Sequence, residues 1–298
     1  MDSSITVFGG SGFLGRQIVK RLAEESAHVR VAVRHPERAS FLERAGRAEQ
    51  ITAIYADVWE EASVGAAVDG SEAVINMVGH YVERGRANFE TTSGHGAMHV
   101  AKAAATAGVQ RLVHISGLGT DPKPDSRYSR ARSIGEQLVM EAFPAATILR
   151  PGVIFGREGG FLNRLAALAR MPPLFPLFGA GETKLQPVYV GDVAEAVAKA
   201  LATPATMGRL YELGGPRVYT YKELVQLVLA QIERKRLLMP IPYFAWKVVA
   251  ALMAPLPSRP LSRNQIELMQ QDNVVRADAL TLADLGIAPT PVEAMWPR

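Results

Sequence analysis

Tyr128 and Arg132 are the two residues of this sequence whose types and spacing best suit proton transfer. They stand four positions apart in a stretch with helical periodicity, so both side chains leave one face of the predicted helix. A cation within a few ångströms of a phenol favours the ionised form and makes the phenol a usable general acid or base. Arginine spreads that charge over a larger planar fork than an ammonium group. The pair therefore predicts either catalysis by Tyr128 or a site that only retains its ligand.

The glycine-rich turn near the start of the chain has a defined ligand chemistry. Gly9, Gly12 and Gly15 lie between an apolar strand pattern and a helical pattern, the context that a dinucleotide-binding turn requires. They permit, in order, the tight turn, close approach to a pyrophosphate and close helix–strand packing. The predicted diphosphate contacts come from this turn and the helix start: Gly9, Ser11, Gly12, Phe13, Leu14 and Gly15. The alternative is a packing turn in a Rossmann domain that has lost its ligand.

The residue at the end of the second predicted strand bears on the choice of cofactor. Proteins that bind NAD usually place an acidic residue about 20 positions past the glycines, where it bonds the ribose 2′-hydroxyl. This sequence has Arg34 there, with Arg38 one helical turn beyond. Because a guanidinium offers charge and paired donors to a 2′-phosphate, we expect NADP(H) to be preferred over NAD(H). A solvated surface arginine is the alternative.

Composition excludes several other classes of function. The 298 residues are 48% hydrophobic and 21% charged, with a formal net charge of +4 and no cysteine. The basic residues are scattered and lack interleaved stacking aromatics, so no nucleic-acid partner is expected. His95 and His99 have a metal-binding spacing, but no third ligand accompanies them, so no metal is expected. No apolar run approaches the roughly 20 residues of a spanning helix, and a strand pattern starts at once, which predicts a cytoplasmic protein without a signal peptide.

The first half of the chain alternates short β-branched runs with helical stretches. Strands are predicted at residues 5–8, 29–33, 51–55, 73–77, 111–115 and 146–150, and helices at 16–25, 97–107 and 127–142. This alternation predicts the α/β class, with a Rossmann-type doubly wound parallel sheet covered on both faces. Pro172, Pro173 and Pro176 predict a loop that ends the alternation, and Thr220 with Glu223 predicts a capping box that starts a helix over 221–234.

The same pattern predicts two domains. A dinucleotide-binding domain is expected over residues 1–155, to which residues 187–214 return. A smaller mixed C-terminal domain on the substrate side is expected over 156–298, interleaved with the first. The ligand cleft would then lie between the carboxyl ends of the sheet strands and the smaller domain.

The ordered motifs resemble the extended short-chain dehydrogenase/reductase superfamily over nearly the whole chain. The matching pieces are GGSGFLG, Asp57-Val58, NMVG at 76–79, Ser116, Tyr128 with Arg132, LRPGVIFG and QPVYVGDVAEAV. In that superfamily a lysine stands in the place of Arg132, and active members often carry a second hydroxyl in the place of Gly117. A residue set is implied for each part of the site: Asp57 and Val58 for adenine, Val78 and Gly79 for the ribose path, Pro151, Gly152 and Val153 for nicotinamide, and Tyr128, Arg132 and Ser116 for catalysis.

Two C-terminal segments, LSRNQIELMQQDNVV and TLADLGIAPTPVEAM, are more specific. They are similar to the atypical branch that contains the nucleotide-binding accessory subunit of respiratory complex I and its bacterial relatives. That resemblance implies tight NADPH binding, little turnover and a membrane-bound partner of respiration or quinone biosynthesis. The expected location is cytoplasmic, either free or peripheral on the inner face of a membrane. The alternative is an NAD(P)H-dependent oxidoreductase or epimerase that acts on a small or isoprenoid carbonyl, with Tyr128 as acid/base.

Two apolar sets have two interpretations each. Residues 234–257 place three basic residues before an aromatic-rich helical pattern that contains Tyr243, Phe244, Trp246, Val248, Val249, Leu252 and Met253. This stretch is either a lid packed on the core or an interfacial surface that meets a bilayer or a membrane-bound partner. The second set suits either a greasy substrate or a plain core: Phe161, Leu162, Leu165, Phe175 and Phe178.

Overall fold

The structure, a computed structural model, describes residues 4–25, 27–79, 89–120, 126–170, 174–253 and 263–295. The strands of this part are β1 (Ser4–Phe8), β2 (His28–Val33), β3 (Ile51–Tyr55), β4 (Ala73–Asn76), β5 (Arg111–Ile115), β6 (Thr147–Pro151), β7 (Ile154–Gly156), β8 (Gly159–Gly160), β9 (Leu174–Phe178), β10 (Lys184–Leu185), β11 (Val188–Tyr189), β12 (Leu210–Leu213), β13 (Tyr219–Thr220) and β14 (Leu237–Ile241).

The α-helices of the described chain are α1 (Phe13–Glu24), α2 (Glu61–Val68), α3 (Gly96–Thr106), α4 (Arg127–Ala142), α5 (Phe161–Ala169), α6 (Val190–Ala202), α7 (Tyr221–Gln231), α8 (Tyr243–Met253), α9 (Arg263–Leu268) and α10 (Val292–Met295). A π-helical stretch, Glu90–His95, leads into α3. None of the described helices has both the length and the apolar character needed to cross a membrane.

The centre of the fold is a seven-stranded parallel sheet. Its strand order is β12-β6-β5-β4-β1-β2-β3, and every neighbouring pair runs parallel. The order reverses between β1 and β4, which is the topological switch point where open α/β sheets bind ligands. The prediction of a Rossmann-type doubly wound sheet is confirmed.

Helices cover both faces of the sheet, because parallel strands are usually apolar on both sides. All four residues of β4 are buried. On one face, Val7 and Ile75 pack with α1 and α6. On the other face, Phe8 and Val74 pack with α2, α3 and α4. These two cores fix the carboxyl ends of the strands, from which the candidate site residues project.

Capping interactions set the helix boundaries. α1 begins at Phe13, earlier than predicted, because the extended backbone of Gly12 serves as its N-cap. The predicted capping box of α7 is confirmed. The Thr220 hydroxyl accepts the Glu223 N–H at 3.1 Å, and the Glu223 carboxylate accepts the Thr220 N–H at 2.6 Å. The hydrogen bond from the Thr220 N–H lowers the pKa of Glu223, and α7 ends at Gln231, before the predicted end at residue 234.

The loop predicted from the prolines is wrong in part. Pro176 lies inside β9, which pairs in parallel with β14. A two-stranded ribbon tolerates proline because an edge strand need not use every N–H. Pro172 and Pro173 lie outside the described residues.

A third core lies in the C-terminal half of the chain and resolves one of the open interpretations. Leu162, Leu165 and Phe175 are buried in it, and Phe161 and Phe178 pack at its edge. This apolar set is therefore core. β12 pairs with β6 at the edge of the main sheet, while the division into domains at residue 155 stays a prediction.

Candidate dinucleotide site

The glycine turn after β1 has a geometry that larger residues would disturb. Gly9 has a φ of +84°, in the left-handed region that favours glycine. A Cβ on Gly15 would lie 2.4 Å from the Gly9 carbonyl oxygen, so α1 packs directly on the turn. The N–H of Gly12 donates to the same oxygen at 3.1 Å. Gly12 is exposed, and the nearest atom to a Cβ built there is 3.4 Å away, which leaves room for a ligand to approach the backbone.

The predicted set omits Gly10, which has a packing role. A Cβ there would lie 2.8 Å from Cγ1 of Val31 and 3.2 Å from Cγ2 of Val19. Gly10 thus lets α1 and β2 approach each other beneath the turn. The two consecutive glycines in GGSG are the sequence feature that could have indicated this packing role.

The amino end of α1 offers N–H groups for an anion. The helix has neither a side-chain cap nor an acidic residue in its first turn. The N–H groups of Phe13, Leu14 and Gly15 belong to that turn, where no carbonyl of the same helix can accept them. Such a helix start attracts anions through these donors and through the helix dipole. Ser11 is exposed beside it.

The side chains of Phe13 and Leu14 hold this helix start in place. The Phe13 ring packs under the β7–β8 hairpin, where a Cβ on Gly159 would lie 2.9 Å from its Cδ2 atom. Leu14 packs against the core beneath α1. The two residues therefore have only their backbone to offer a diphosphate.

Arg34 and Arg38 follow β2 on the exposed surface. The Gly9 N–H donates to the Ala32 carbonyl at 3.3 Å, so Arg34 stands two residues beyond a direct contact with the glycine turn. Arg38 lies 3.9 Å from the Glu37 carboxylate. Arg34 forms no ion pair with any other described residue. Its guanidinium thus has an exposed position at the edge of the sheet that carries the turn.

Asp57 and Val58 form the turn after β3. The Asp57 carboxylate accepts the Trp59 N–H at 3.1 Å, and the Asp57 N–H donates to the Ser63 hydroxyl at 3.0 Å. Val58 is buried against α3, where a Cβ on Gly96 would lie 2.9 Å from its Cγ2 atom. These contacts shape the turn at the carboxyl edge of the sheet. The adenine contacts of both residues stay a prediction.

His99 also belongs to this turn. Its Nδ1 atom lies 2.8 Å from the Val58 carbonyl oxygen, and its Nε2 atom lies 3.3 Å from the Glu61 carboxylate. His95 is exposed. Across the described ranges, no three His, Cys, Asp or Glu side chains come together in a metal-binding arrangement.

The loop after β4 contacts the glycine turn across the switch point. A Cβ on Gly9 would lie 3.0 Å from Cγ of Met77. The Asn76 side-chain carbonyl accepts the Val78 N–H at 3.1 Å and so fixes the start of the loop. Val78 and Gly79 therefore leave the sheet at the same edge as the turn. Their contacts with a ribose stay a prediction.

Tyr128 and Arg132 lie together on α4, as their spacing predicts. Cζ of Arg132 is 4.9 Å from the centroid of the Tyr128 ring, so the guanidinium covers a face of the ring. Tyr128 is 7% exposed, and its ring meets that of Phe89 edge-on at 5.4 Å between centroids. Leu268 of α9 packs on the same cluster. Tyr128 is thus buried in a cluster to which three parts of the chain contribute side chains.

Two glycines make room for the guanidinium of Arg132. A Cβ on Gly79 would lie 3.4 Å from its Nη2 atom, and a Cβ on Gly117 would lie 3.3 Å from its Nη1 atom. In the sequence, Gly117 is notable only because active members of the superfamily often carry a hydroxyl at its position. Here its small size accommodates a side chain larger than lysine between the loops that follow β4 and β5.

Ser116 directly follows β5. It is buried, and its hydroxyl lies 3.3 Å from the Thr120 hydroxyl. Thr120 in turn donates to the Gly117 carbonyl at 2.6 Å. Ser116 is therefore engaged within the loop after β5, and its catalytic role stays a prediction.

Among the described residues, several buried polar atoms at this edge lack a hydrogen-bond partner, and they include Nδ1 of His114, Nδ2 of Asn76 and Oγ of Ser93. Asn76 and His114 are register partners, so their side chains leave the same face of the sheet. Burial and the charge of Arg132 lower the pKa of His114 to about 3, so its ring is neutral at neutral pH. A polar ligand would satisfy buried groups that otherwise cost free energy.

Asn273 is a site-edge residue that the sequence did not reveal. Its Nδ2 atom donates to the Leu118 carbonyl at 3.1 Å. Its Oδ1 atom is buried and would lie 3.4 Å from a Cβ on Gly152. The Leu118 N–H donates to the Pro151 carbonyl at 3.0 Å, so the loops after β5 and β6 are joined both directly and through Asn273. Val153 continues the second of these loops into β7.

The sheet order, the glycine turn and the start of α1, which has no side-chain cap, define a Rossmann-type protein of the dinucleotide-binding class. Comparison with known proteins specifies the class further. A family model described as NAD(P)H-binding matches residues 9–204. The chain is 35% identical over 296 residues to the mitochondrial NADH dehydrogenase (ubiquinone) 1 alpha subcomplex subunit 9 of Arabidopsis thaliana, a match that covers 95% of this chain and 74% of that protein. The subunit of the same name from Mus musculus is 33% identical over 97% of this chain and 77% of that protein.

A solved structure shows the same fold. The NADPH-dependent quinone oxidoreductase of Escherichia coli, complexed with NADPH, superposes with a TM-score of 0.77 at 21% identity, over 98% of both chains. The chain belongs to the NAD(P)H-binding family and, within it, to the family of the NADH dehydrogenase (ubiquinone) 1 alpha subcomplex subunit 9 of respiratory complex I. It is thus an NAD(P)H-binding, oxidoreductase-like protein.

Proposed function

We propose that this chain is an NADP(H)-binding accessory protein of a membrane-bound respiratory complex or of quinone metabolism, with little or no turnover of its own. The observation that carries the proposal is the enclosure of Tyr128 by Phe89, Leu268 and the guanidinium of Arg132. The mitochondrial complex I subunits to which the chain is similar support the respiratory association. Active relatives combine retention of the dinucleotide with proton transfer by tyrosine. In this proposal the chain keeps the first property and lacks the second.

Several features support retention of a dinucleotide. Gly12 leaves its backbone open, and the start of α1 offers N–H donors without a competing carboxylate. The unpartnered polar atoms of Asn76 and His114 supply further hydrogen-bonding capacity at the opposite end of the site. In this proposal Asp57 and Val58 contact the adenine, Val78 and Gly79 line the ribose, and Pro151, Gly152 and Val153 flank the nicotinamide. When bound, the cofactor supplies hydride chemistry.

The surroundings of Tyr128 argue against efficient proton transfer. A general acid must come within hydrogen-bonding reach of the group that it protonates, and a ring that is 7% exposed has little room for a substrate beside it. The charge of Arg132 meets the ring face in a cation–π arrangement. Arg132 can thus hold its place beside a bound ribose while the tyrosine serves as packing.

Nucleotide release tests the proposed function. We expect the purified protein, once denatured, to release stoichiometric NADPH, and the undenatured protein to leave that NADPH unoxidised when quinones or small and isoprenoid aldehydes and ketones are added. Chromatography of the released nucleotide and the absorbance of the reduced nicotinamide would measure both results. Rapid oxidation by any of these carbonyls would contradict the accessory role, and absence of nucleotide combined with no binding of either coenzyme would contradict the site itself.

An enzymatic function is the second candidate, because Tyr128 and Arg132 share one helix face at the edge where Gly79 and Gly117 leave the sheet. In that case the chain is an NAD(P)H-dependent oxidoreductase or epimerase, with Tyr128 as acid/base and Arg132 in support. Arg132→Lys would restore a compact ammonium at the position where active relatives have one. We expect this variant to raise NADPH oxidation by less than about threefold, because Tyr128 stays enclosed by Phe89 and Leu268.

Steady-state rates with a panel of carbonyl compounds would measure the effect of Arg132→Lys, and Tyr128→Phe in the same background is the matched control. A rise of roughly 100-fold that Tyr128→Phe abolishes would show a recently lost enzyme and would favour the second candidate.

Arg34 is proposed to determine the preference for NADP(H). Arg34→Ser should raise the Kd for NADPH by about 10- to 100-fold, since charge-assisted hydrogen bonds contribute about 1.5–3 kcal/mol. The Kd for NADH should change by less than about threefold, because NADH has no 2′-phosphate. Titration calorimetry with both coenzymes would measure the two effects.

Arg209→Ser is a matched control for Arg34→Ser. Arg209 is also exposed, but it precedes β12 at the opposite edge of the sheet, so neither Kd should change. Equal losses of NADPH and NADH affinity in Arg34→Ser would show that Arg34 does not read the 2′-phosphate.

A further inference from the structure

α8 has one face on the core and one face in solvent. Nε1 of Trp246 donates to a main-chain carbonyl of β9 at 3.0 Å, and the Tyr243 hydroxyl donates to the carbonyl that follows α9 at 2.7 Å. The opposite face carries Phe244, Val248 and Leu252, whose exposures are 72%, 57% and 74%. Because these three residues are four positions apart, they form one continuous stripe. The side of α8 that carries Trp246 and Tyr243 therefore fits the interpretation as a lid packed on the core. The side that carries Phe244, Val248 and Leu252 fits the interpretation as an interfacial surface.

The β9–β14 ribbon extends the exposed apolar area. Leu174 and Leu237 are register partners and are 44% and 69% exposed, and Met239 lies on the same side of β14 at 39%. Phe178 belongs to this side of β9 as well, and the Trp246 ring stacks on it with 4.7 Å between centroids. α8 therefore packs against the carboxyl end of the ribbon, next to its exposed side.

We call the exposed apolar side chains of α8 and of the β9–β14 ribbon the α8 surface: Leu174, Leu237, Met239, Phe244, Val248 and Leu252. They are six of the twelve large apolar residues with high exposure among the described residues. Single exposed apolar residues are common on soluble proteins, but a continuous stripe such as that of Phe244, Val248 and Leu252 marks an interaction site.

Basic side chains accompany the α8 surface. Residues 232–253 contain four basic residues, Arg234, Lys235, Arg236 and Lys247, and one acidic residue, Glu233. Lys247 is exposed and stands one turn from Phe244. Nε of Arg236 donates to the Ala169 carbonyl at 3.1 Å, which brings the exposed Arg170 to the start of β14. The cluster thus combines an apolar stripe with a local excess of positive charge.

We propose that the α8 surface binds an anionic lipid bilayer, with Phe244, Val248 and Leu252 inserted at the level of the head groups. A short helix with aromatic and aliphatic residues on one side and arginine and lysine beside them is typical of helices that lie in a membrane interface. At 11 residues α8 is about 16 Å long, so it can lie on a bilayer and not cross it. This inference goes beyond the proposed cofactor function and does not rest on it.

The charges favour lipid over a protein partner. Protein–protein interfaces are depleted in lysine, and two of the four basic residues here, Lys235 and Lys247, are lysines. An anionic membrane surface attracts each nearby lysine or arginine by about 1 kcal/mol, which gives the basic residues beside the α8 surface a direct role. A second copy of this chain would bring the same positive charges together and repel itself.

Flotation of the full chain with vesicles tests the lipid proposal. We expect the protein to float with vesicles of phosphatidylcholine and phosphatidylglycerol, and to stay in the dense fraction with phosphatidylcholine alone. Val248→Ser combined with Leu252→Ser should lower the partition coefficient on the anionic vesicles by about 10- to 100-fold, because two apolar side chains no longer insert. Val218→Ser combined with Met207→Ser is the matched control, since these residues are 39% and 40% exposed elsewhere on the chain, and it should bind as the unmodified protein does.

A charge variant tests the electrostatic part. Arg234→Gln combined with Lys235→Gln should lower the partition coefficient roughly 30-fold at low salt. Thermal unfolding and NADPH affinity should be unchanged in all three double variants, which separates a lost lipid contact from a lost fold or a lost cofactor site.

Three results would overturn the lipid proposal. The first is failure of the unmodified protein to float with anionic vesicles. The second is binding to native membranes that disappears after protease treatment and never occurs on pure lipid, because it would identify a protein partner. The third is self-association in solution that the Val248→Ser/Leu252→Ser variant abolishes, because it would identify the α8 surface as an interface between copies.

Discussion

Replacing Gly15 by alanine is expected to weaken NADPH and NADH binding by roughly 100-fold or more, about 2.7 kcal/mol, and to lower the free energy of unfolding by about 1–3 kcal/mol. The added Cβ would lie 2.4 Å from the Gly9 carbonyl oxygen and 2.6 Å from Cα of Gly10, both of which are backbone atoms that cannot rotate away. α1 must then move off the turn, and its first N–H groups move with it. Titration calorimetry and chemical unfolding would measure the two effects.

Gly65→Ala is the matched control for Gly15→Ala. Gly65 lies inside α2, and a Cβ there would meet no atom within 4 Å. Since alanine favours helix over glycine, this variant should be up to about 1 kcal/mol more stable and should bind both coenzymes normally. If Gly15→Ala bound NADPH as tightly as the unmodified protein, the diphosphate would not rest on this turn.

The sequence predicts the sheet and the turn well because both depend on local patterns. β3, β5 and α4 begin and end at the predicted residues, since strand and helix periodicity sets these bounds. The glycines identify the turn because their small size is needed there, as the 2.4 Å contact at Gly15 shows. The order of such motifs along the chain also indicates the family, which the NAD(P)H-binding match over residues 9–204 confirms.

The geometry around Tyr128 could not be predicted in the same way. The spacing of Tyr128 and Arg132 sets a common helix face but not the rotamer that lays the guanidinium over the ring at 4.9 Å. The enclosure depends on Leu268, which comes from a distant part of the chain. The same holds for Asn273, whose contact with Leu118 joins residues that are 155 positions apart. Long-range contacts of this kind leave no periodic trace in the sequence.

α8 shows a second limit of pattern reasoning. Its apolar residues occur on all sides of the helix, so periodicity alone does not distinguish Trp246 from Phe244. Trp246 donates a hydrogen bond to the Leu177 carbonyl of β9, whereas Phe244 is 72% exposed. Only the packing of the β9–β14 ribbon against the helix decides which side faces solvent. A test of membrane binding that substitutes Trp246 would therefore disturb the core, whereas Val248 and Leu252 report on the surface.

Arg150→Met is expected to lower the free energy of unfolding by about 3–5 kcal/mol, because it leaves the buried Glu136 carboxylate without a cation and removes one of the two cations of Glu212. The Arg150 guanidinium bonds the Glu136 carboxylate at 2.6 and 2.9 Å and lies 3.4 Å from that of Glu212. The side chains of Glu136 and Glu212 are 9% and 3% exposed. Arg276 also binds Glu212, at 3.0 Å, so the network ties the C-terminal segment that contains Asn273 to β6 and β12.

Chemical unfolding would measure the effect of Arg150→Met, with Lys20→Met as control. Lys20 lies 3.9 Å from Glu158 in an exposed pair, so its loss should cost less than about 0.5 kcal/mol. Arg150→Met combined with Glu136→Gln should be more stable than Arg150→Met alone, because it removes the unpaired charge of Glu136. Since Arg150 directly precedes Pro151 and Gly152, the single variant should also bind NADPH more weakly. A loss of stability no larger than that of Lys20→Met would show that the buried network does not hold β6, β12 and the C-terminal segment together.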